Sequence, residues 1–335
     1  MSEHRQCLSI WDYSKGRDGI LKQDIIDQWL EKLFQQDRRA IAKLITWVED
    51  NTERSKIMPS VLSRTRGEKR FVTGITGPPG AGKSSLVEAL THLYRRQDER
   101  VGIVAVDPSS PLTGGAILGD RIRMQAHGTD PNVFIRSMGA RGHLGGVADS
   151  TADVLRILEA GGYTTLLLET VGVGQSEIEI MQLADTVVLV LNPGTGDSIQ
   201  AIKAGIMEIA DIFVVNKADM PGAERLKNDI LMMIEMSGAP QAWRPPVIMT
   251  SMLDNQGLNE LKLKIAAHQS FLLESGQLIH RRREQLQREI WRHLEDKVKG
   301  IFNTIWPKLP NSWLESGQLD PYQLAEKVWT KMLEE

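Results

Sequence analysis

Unbroken apolar runs alternate with amphipathic helical patterns through the middle of the chain. The runs are Phe71–Thr76, Val101–Val106, Val133–Ser137, Thr165–Glu169, Val187–Leu191, Ile212–Asn216 and Val247–Thr250. Helical patterns near 84–97, 150–160, 197–209, 222–237 and 257–273 separate most of them. A strand covered on both faces has no polar side to alternate with. These runs therefore predict an α/β fold with a mostly parallel sheet and helices on both faces.

The flanks carry helical periodicity alone. Ile25, Trp29 and Leu33, with Ile26, Leu30 and Phe34, repeat along one broad helix face, and Ile41, Leu44, Ile45 and Val48 mark a second helix. In the tail, Leu286, Ile290, Leu294, Val298, Ile301 and Ile305 step by three or four residues. Asp320 and Pro321 are suited to the cap and first position of a last helix carrying Leu324, Val328, Trp329 and Met332. Tryptophan is missing between Phe71 and Gln241, where glycine is concentrated. The expected division is an all-helical extension over 1–66, an α/β domain over 67–274 and a second all-helical extension over 275–335.

Composition narrows the partners. Net charge is −3 and 25% of residues are charged, so no nucleic-acid partner is expected. The run Arg281-Arg282-Arg283 falls in a helical charge pattern and reads as a solvated face. Cys7 is the only cysteine, which fits a reducing compartment. The segment Met1–Asp12 has no apolar signal-peptide core, and no run approaches the ~20 apolar residues of a membrane span. The expectation is a cytoplasmic protein with no membrane partner.

The chemistry begins at Gly77-Pro78-Pro79-Gly80-Ala81-Gly82-Lys83-Ser84, which fits the phosphate-loop pattern GxxxxGK[ST] throughout. A strand pattern leads into it and a helical pattern leaves it, as the motif requires. Glycines let backbone N–H groups turn toward phosphate oxygens, and the helix start adds partial positive charge. Lys83 supplies a full charge to the terminal phosphates, and the Ser84 hydroxyl is a Mg²⁺ ligand. This motif points to a nucleoside triphosphate without choosing the base.

Asn216-Lys217-Ala218-Asp219, after the run Ile212–Val215, makes that choice. A carboxylate can accept from both the ring N–H and the exocyclic amine of guanine. Adenine offers an acceptor at the ring position, and an unpaired buried polar group costs about 1–3 kcal/mol. Lys217 can lie along the base and Asn216 can tie this loop to the phosphate loop. Ser251, Met252 and Leu253, in the segment starting at Thr250, are placed to meet the base through backbone groups. GTP and GDP are the expected ligands.

Two acidic residues close strands beside the phosphates: Asp107, starting Asp107-Pro108-Ser109-Ser110, and Glu169, starting Glu169-Thr170-Val171-Gly172. Ligands of parallel sheets lie beyond the carboxyl ends of the strands, so both suit a Mg²⁺ site, and Asp120 is a third candidate. Where common small GTPases place a water-orienting glutamine, this chain has Val173, with Gln175 further on. Slow intrinsic hydrolysis, accelerated by a partner, is expected. Arg121, Arg123, Arg141 and Lys203 are candidates for stabilising transition-state charge. Glycine-rich segments around 113–119, 139–146 and 192–197 read as nucleotide-sensing loops. The seven histidines are too dispersed for ligand spacing and no CxxC occurs, which disfavours transition-metal delivery.

Residues 71–260 resemble the metallochaperone-type branch of P-loop GTPases, and specifically the MeaB/ArgK family. The likeness rests on Gly77–Ser85, Val106–Ser110, Asp120–Met124, Gly139–Gly146, Glu169–Glu177 and Asn216–Asp219. It implies nucleotide contacts running through Ser85, Mg²⁺-site or switch roles for Asp107, Asp120 and Glu169, and a further switch over Asn192–Lys203 in which Lys203 contributes to catalysis. It also implies a homodimer built through the helical extensions, with 275–335 as the dimerisation arm. Family members are GTPase chaperones that gate cofactor loading and protect cobalamin-dependent acyl-CoA mutases, chiefly methylmalonyl-CoA mutase. Met220-Pro221-Gly222 is less polar than in many relatives, but touches no expected contact. Two other functions fit a P-loop: GTP-dependent metal insertion, and phosphotransfer to a periplasmic-transport binding protein. No protein-kinase catalytic-loop pattern favours the latter.

Overall fold

A computed structural model of the protein describes residues 23–50, 53–65, 70–107, 129–139, 144–170, 178–179, 181–194, 208–236, 242–310, 313 and 320–333. Seven parallel strands form one sheet in the order β3-β2-β4-β1-β5-β6-β7. They are β1 Phe71–Thr76, β2 Val101–Asp107, β3 Val133–Gly139, β4 Thr165–Thr170, β5 Thr186–Leu191, β6 Ile212–Asn216 and β7 Val247–Thr250. The helices are α1 Gln23–Phe34, α2 Arg38–Glu49, α3 Arg54–Arg64, α4 Lys83–Arg95, α5 Leu144–Ala160, α6 Ala223–Met236, α7 Leu258–Glu274, α8 Gln277–Ile305 and α9 Pro321–Leu333.

Each strand segregates its side chains by the two-residue period of an extended chain. Ile103, Leu167, Val188, Val190 and Val214 point to one face, where α4 and α7 cover them with Leu86, Leu90, Leu261 and Ile265. Val104, Leu166, Leu168 and Val187 point the other way, toward α5 and the N-terminal helices. Leu189, Phe213 and Val215 continue that second face beneath α6. Strands β1, β4, β5 and β6 are buried on both faces, which explains why they read as unbroken apolar runs.

The helices α1–α3 lie against α5 and share its core through Ile26, Leu33, Ile41, Leu44, Ile57 and Val61. Asp37 caps α2, its Oδ1 accepting the amides of Arg39 at 2.7 Å and Ala40 at 3.0 Å. Charged links surround this contact: Arg54 Nε meets Asp153 at 2.5 Å, Arg70 meets Glu159 at 3.1 Å, and Arg136 pairs with Glu49. These helices belong to the same compact unit as the sheet, residues 1–278.

Some elements differ from the sequence pattern. The pattern marks two helices before residue 66, and α3 makes a third; its internal Pro59 and sparse apolar positions obscure its periodicity. Helix α5 starts at Leu144 rather than near 150, because Gly145 and Gly146 carry no pattern. Strands β2, β3 and β4 run one or two residues further than their apolar runs, since the ladder continues through Asp107, Gly139 and Thr170.

Residues 279–335 form a second compact unit. Its core is small: Ile305, Leu309 and Val328, joined by Leu324 and Met332. Asp320 Oδ1 accepts the amides of Tyr322 and Gln323, both at 2.9 Å, and α9 starts at Pro321 as the sequence predicts. Leu286, Ile290, Trp291, Leu294 and Trp329 are left exposed.

Candidate nucleotide site

All strands run the same way, so their carboxyl ends bring the loops after β1, β6 and β7 and the last residues of β4 to one edge of the sheet. The loop after β1 wraps from Gly77 to Gly82 and feeds α4. Gly82 has φ +93°, and a Cβ there would overlap the Asn216 side-chain amide. Only glycine allows the loop to turn inward while touching Asn216.

Lys83 opens α4 and is 7% exposed. Its Nζ donates to the carbonyls of Gly77 at 2.7 Å and Pro78 at 3.1 Å. The ammonium is thereby aimed across its own loop, toward the space that the loop encircles. Gly77 and Ala81 are buried, Pro78 and Gly82 half-buried, and Pro79, Gly80 and Ser85 exposed. Ser84 Oγ donates to Glu169 Oε1 at 2.7 Å, although the residues are 85 positions apart. Glu169 is 2% exposed at the end of β4, opposite Ile75 of β1. One step on, Thr170 Oγ1 and Thr76 Oγ1 are 3.0 Å apart, both buried, tying the two strands where their loops begin. The sequence gives no separate signal for that hydroxyl pair; only the β1–β4 register makes them neighbours.

The Asn216–Asp219 loop is linked to the Gly77–Gly82 loop through Asn216. Its Nδ2 donates to Ala81 O at 2.8 Å, and its Oδ1 accepts from Thr250 Oγ1 at 3.0 Å. Ala218 N donates to Thr250 O at 3.0 Å, so β6 and β7 hand their two loops to each other. Lys217 has φ +58°, which turns the chain sharply toward Asp219. Ser251 is buried, with its hydroxyl 2.8 Å from Asp219 Oδ1, while Asp219 itself is exposed. Met252 packs its side chain against the core, whereas Leu253 is 82% exposed. Asp254, not singled out by the sequence, also reaches the Ser251 hydroxyl. Its Ser-x-x-Asp spacing was the available signal.

Asp107 closes β2 opposite Gly139, at the same sheet edge. Its side chain lies outside the described residues, as do Asp120, Lys203, Val173, Gln175, Arg121, Arg123, Arg141 and His143. Among the described residues, no group of three or more His, Cys, Asp or Glu is placed to hold a metal ion. No described helix is long and apolar enough to cross a membrane.

A parallel sheet with a glycine-rich loop after β1, a lysine and serine opening the next helix, and an Asn-Lys-x-Asp loop after β6 defines a P-loop GTPase. The sequence profile of the methylmalonyl-CoA mutase-associated GTPase MeaB matches residues 41–304, and the chain belongs to that family. It is 46% identical over 313 residues to a Pyrococcus horikoshii protein named as a GTPase, covering 92% of this chain and 98% of the relative. It is 34% identical over 327 residues to the mitochondrial methylmalonic aciduria type A homolog of Mus musculus, covering 91% and 79%. Among solved structures, the LAO/AO transport system kinase superposes with a TM-score of 0.70, covering 94% of this chain and all of that one. At 23% identity, that likeness concerns the fold.

Proposed function

We propose that this GTPase binds GTP with Mg²⁺, hydrolyses it slowly alone, and acts as a chaperone for a cobalamin-dependent acyl-CoA mutase. The observation carrying the nucleotide reading is the Asn216 bridge, which holds the phosphate loop and base loop at one fixed separation. In this reading Asp219 pairs with the guanine edge, and Lys217, Ser251, Met252 and Leu253 enclose the base. The loop Gly77 to Ser85 surrounds the phosphates, with backbone N–H groups from every residue but Pro78 and Pro79.

Ser84 Oγ and Glu169 Oε1 are hard oxygen donors 2.7 Å apart at the start of α4, a pairing that suits a cation with few protein ligands. Asp107 and Asp120 complete the acidic set, directly or through water. Bound there, Mg²⁺ supplies charge neutralisation to the terminal phosphates. Lys83 leaves its carbonyl partners to contact the terminal phosphates, and Lys203 adds to the stabilisation of the transition state. Water attacks the terminal phosphorus as its bond to the β–γ bridging oxygen breaks, and GDP and phosphate leave. With an apolar residue at Val173, its orientation waits for the partner.

The client reading rests on the family's own description and on the names of relatives such as the mouse homolog. Methylmalonyl-CoA mutase is the client proposed, with cofactor loading as the gated step and the cytoplasm as the setting. The exposed apolar side chains of α8 and α9 support a homodimer formed through the 275–335 arm. The deciding experiment loads the protein with GDP or a non-hydrolysable GTP analogue and presents it to methylmalonyl-CoA mutase. Association that depends on the nucleotide is expected. No association in either state refutes the client.

A further inference from the structure

Ser251 stands between two carboxylates. Its Oγ lies 2.8 Å from Asp219 Oδ1 and 3.1 Å from Asp254 Oδ2, and the Asp254 amide points back at it from 3.3 Å. The hydroxyl is buried, while both aspartates are exposed. A serine hydroxyl has one proton, so it can donate to only one carboxylate at a time. Asp254 therefore competes with Asp219 for the same proton.

The loop carrying Asp254 is held in place. Ser251 and Gln256 exchange both backbone hydrogen bonds, at 3.2 and 3.0 Å, closing the turn between them. Gly257 follows at φ +75°, where a Cβ would overlap the Met249 carbonyl, so the strand and the turn's exit are in direct contact. Asp254 is thus carried on a closed turn, sharing the Ser251 hydroxyl with the carboxylate proposed to read the base.

We infer that Asp254 is a specificity-determining residue for the purine. The inference rests on the guanine reading above. When Asp254 takes the Ser251 proton, Asp219 keeps its full acceptor capacity for the ring N–H and the amine at position 2. The Asp254 charge further favours N–H donors at that edge. A purine with an oxygen acceptor at position 2, such as xanthine, meets two carboxylates rather than one. Hypoxanthine, with nothing at position 2, loses a donor but gains no repulsion.

The test measures GDP, IDP, XDP and ADP binding by titration calorimetry for the whole chain, for Asp254→Asn and for Asp254→Ala. The first variant keeps the side-chain shape and removes the charge; the second removes both. The GDP-to-XDP affinity ratio is expected to fall by about threefold to tenfold in both variants, with a smaller change in GDP-to-IDP. That size follows from removing one solvent-exposed charge, which both variants do; Asp254→Ala also removes the acceptor, which Asp254→Asn keeps as an amide oxygen. If GDP and XDP weaken equally, Asp254 merely shapes the turn and the inference is overturned. If the unaltered chain binds ADP as well as GDP, the guanine reading itself fails and takes this one with it. The two failures are told apart by the unaltered chain alone.

Discussion

Asn216 and Ala81 are 135 positions apart, yet the Asn216 side chain donates to the Ala81 carbonyl at 2.8 Å while accepting from Thr250 at 3.0 Å. A single buried amide fixes the distance between the loops assigned to phosphates and base. Replacing Asn216 by Ala leaves the Ala81 carbonyl and the Thr250 hydroxyl without this partner. At about 1–3 kcal/mol for each of the two groups left unsatisfied, stability should drop by roughly 2–6 kcal/mol. Asn216→Asp should be at least as harmful, because a carboxylate would face the Ala81 carbonyl as a second acceptor. Urea unfolding of both variants checks this, and a loss below about 1 kcal/mol would show the bridge to be dispensable.

Lys83 is held by the carbonyls of Gly77 and Pro78 but is assigned to the phosphates. Lys83→Ala should weaken GDP binding by about 100-fold, the scale of losing one preorganised electrostatic donor. Calorimetry with GDP measures it, and circular dichroism should show the helical content retained.

The contact between Ser84 and Glu169 predicts a metal effect. In the unaltered chain, chelating Mg²⁺ should weaken GTP-analogue binding. In Ser84→Ala the affinities with and without chelator should converge, because one of the metal's protein ligands has gone. A Mg²⁺ effect of undiminished size would remove Ser84 from the metal site.

Tyr94 gives a pH prediction far from the nucleotide. Burial, with a smaller contribution from the Glu99 carboxylate, raises its phenol well above the ordinary 10.0. The folded state keeps this proton while the unfolded chain releases it near 10. The stability it contributes is complete below pH 10 and is lost as pH rises from there toward the folded value. Between pH 9 and 11 the unaltered chain should lose more unfolding free energy than Tyr94→Phe, by at most about 1.4 kcal/mol per pH unit. Parallel urea curves for the two proteins would contradict this.

The helices before residue 66 are expected to be indispensable. A chain starting at Gly67 would expose the α5 face that Ile41, Leu44 and Val61 now cover, and would lose the Arg54–Asp153 pair. Expression of that fragment should yield aggregated protein, whereas removal of residues before Gln23 leaves these contacts in place. A soluble, cooperatively unfolding fragment would disprove it.

The sequence by itself determined where the strands fall along the chain and the motifs Gly77–Ser84 and Asn216–Asp219 that follow two of them. Those features are local: a strand buried on both faces must be apolar throughout, and Gly82, Lys83 and Ser84 follow one another in sequence. It also determined the start of α9, because Asp320 and Pro321 are a short-range cap. Tertiary structure alone decided which distant residues meet. The register of β1 with β4 brings Thr76 to Thr170 and Ser84 to Glu169, and the pairing of β6 with β7 brings Asn216 to Thr250. Helix α3 and the start of α5 were likewise hidden, because proline and glycine erase periodicity without preventing a packed helix. The competition between Asp219 and Asp254 for Ser251 is of the same kind. Each residue could be read singly, but one proton shared by two carboxylates is a relation that exists only once the loops are folded together.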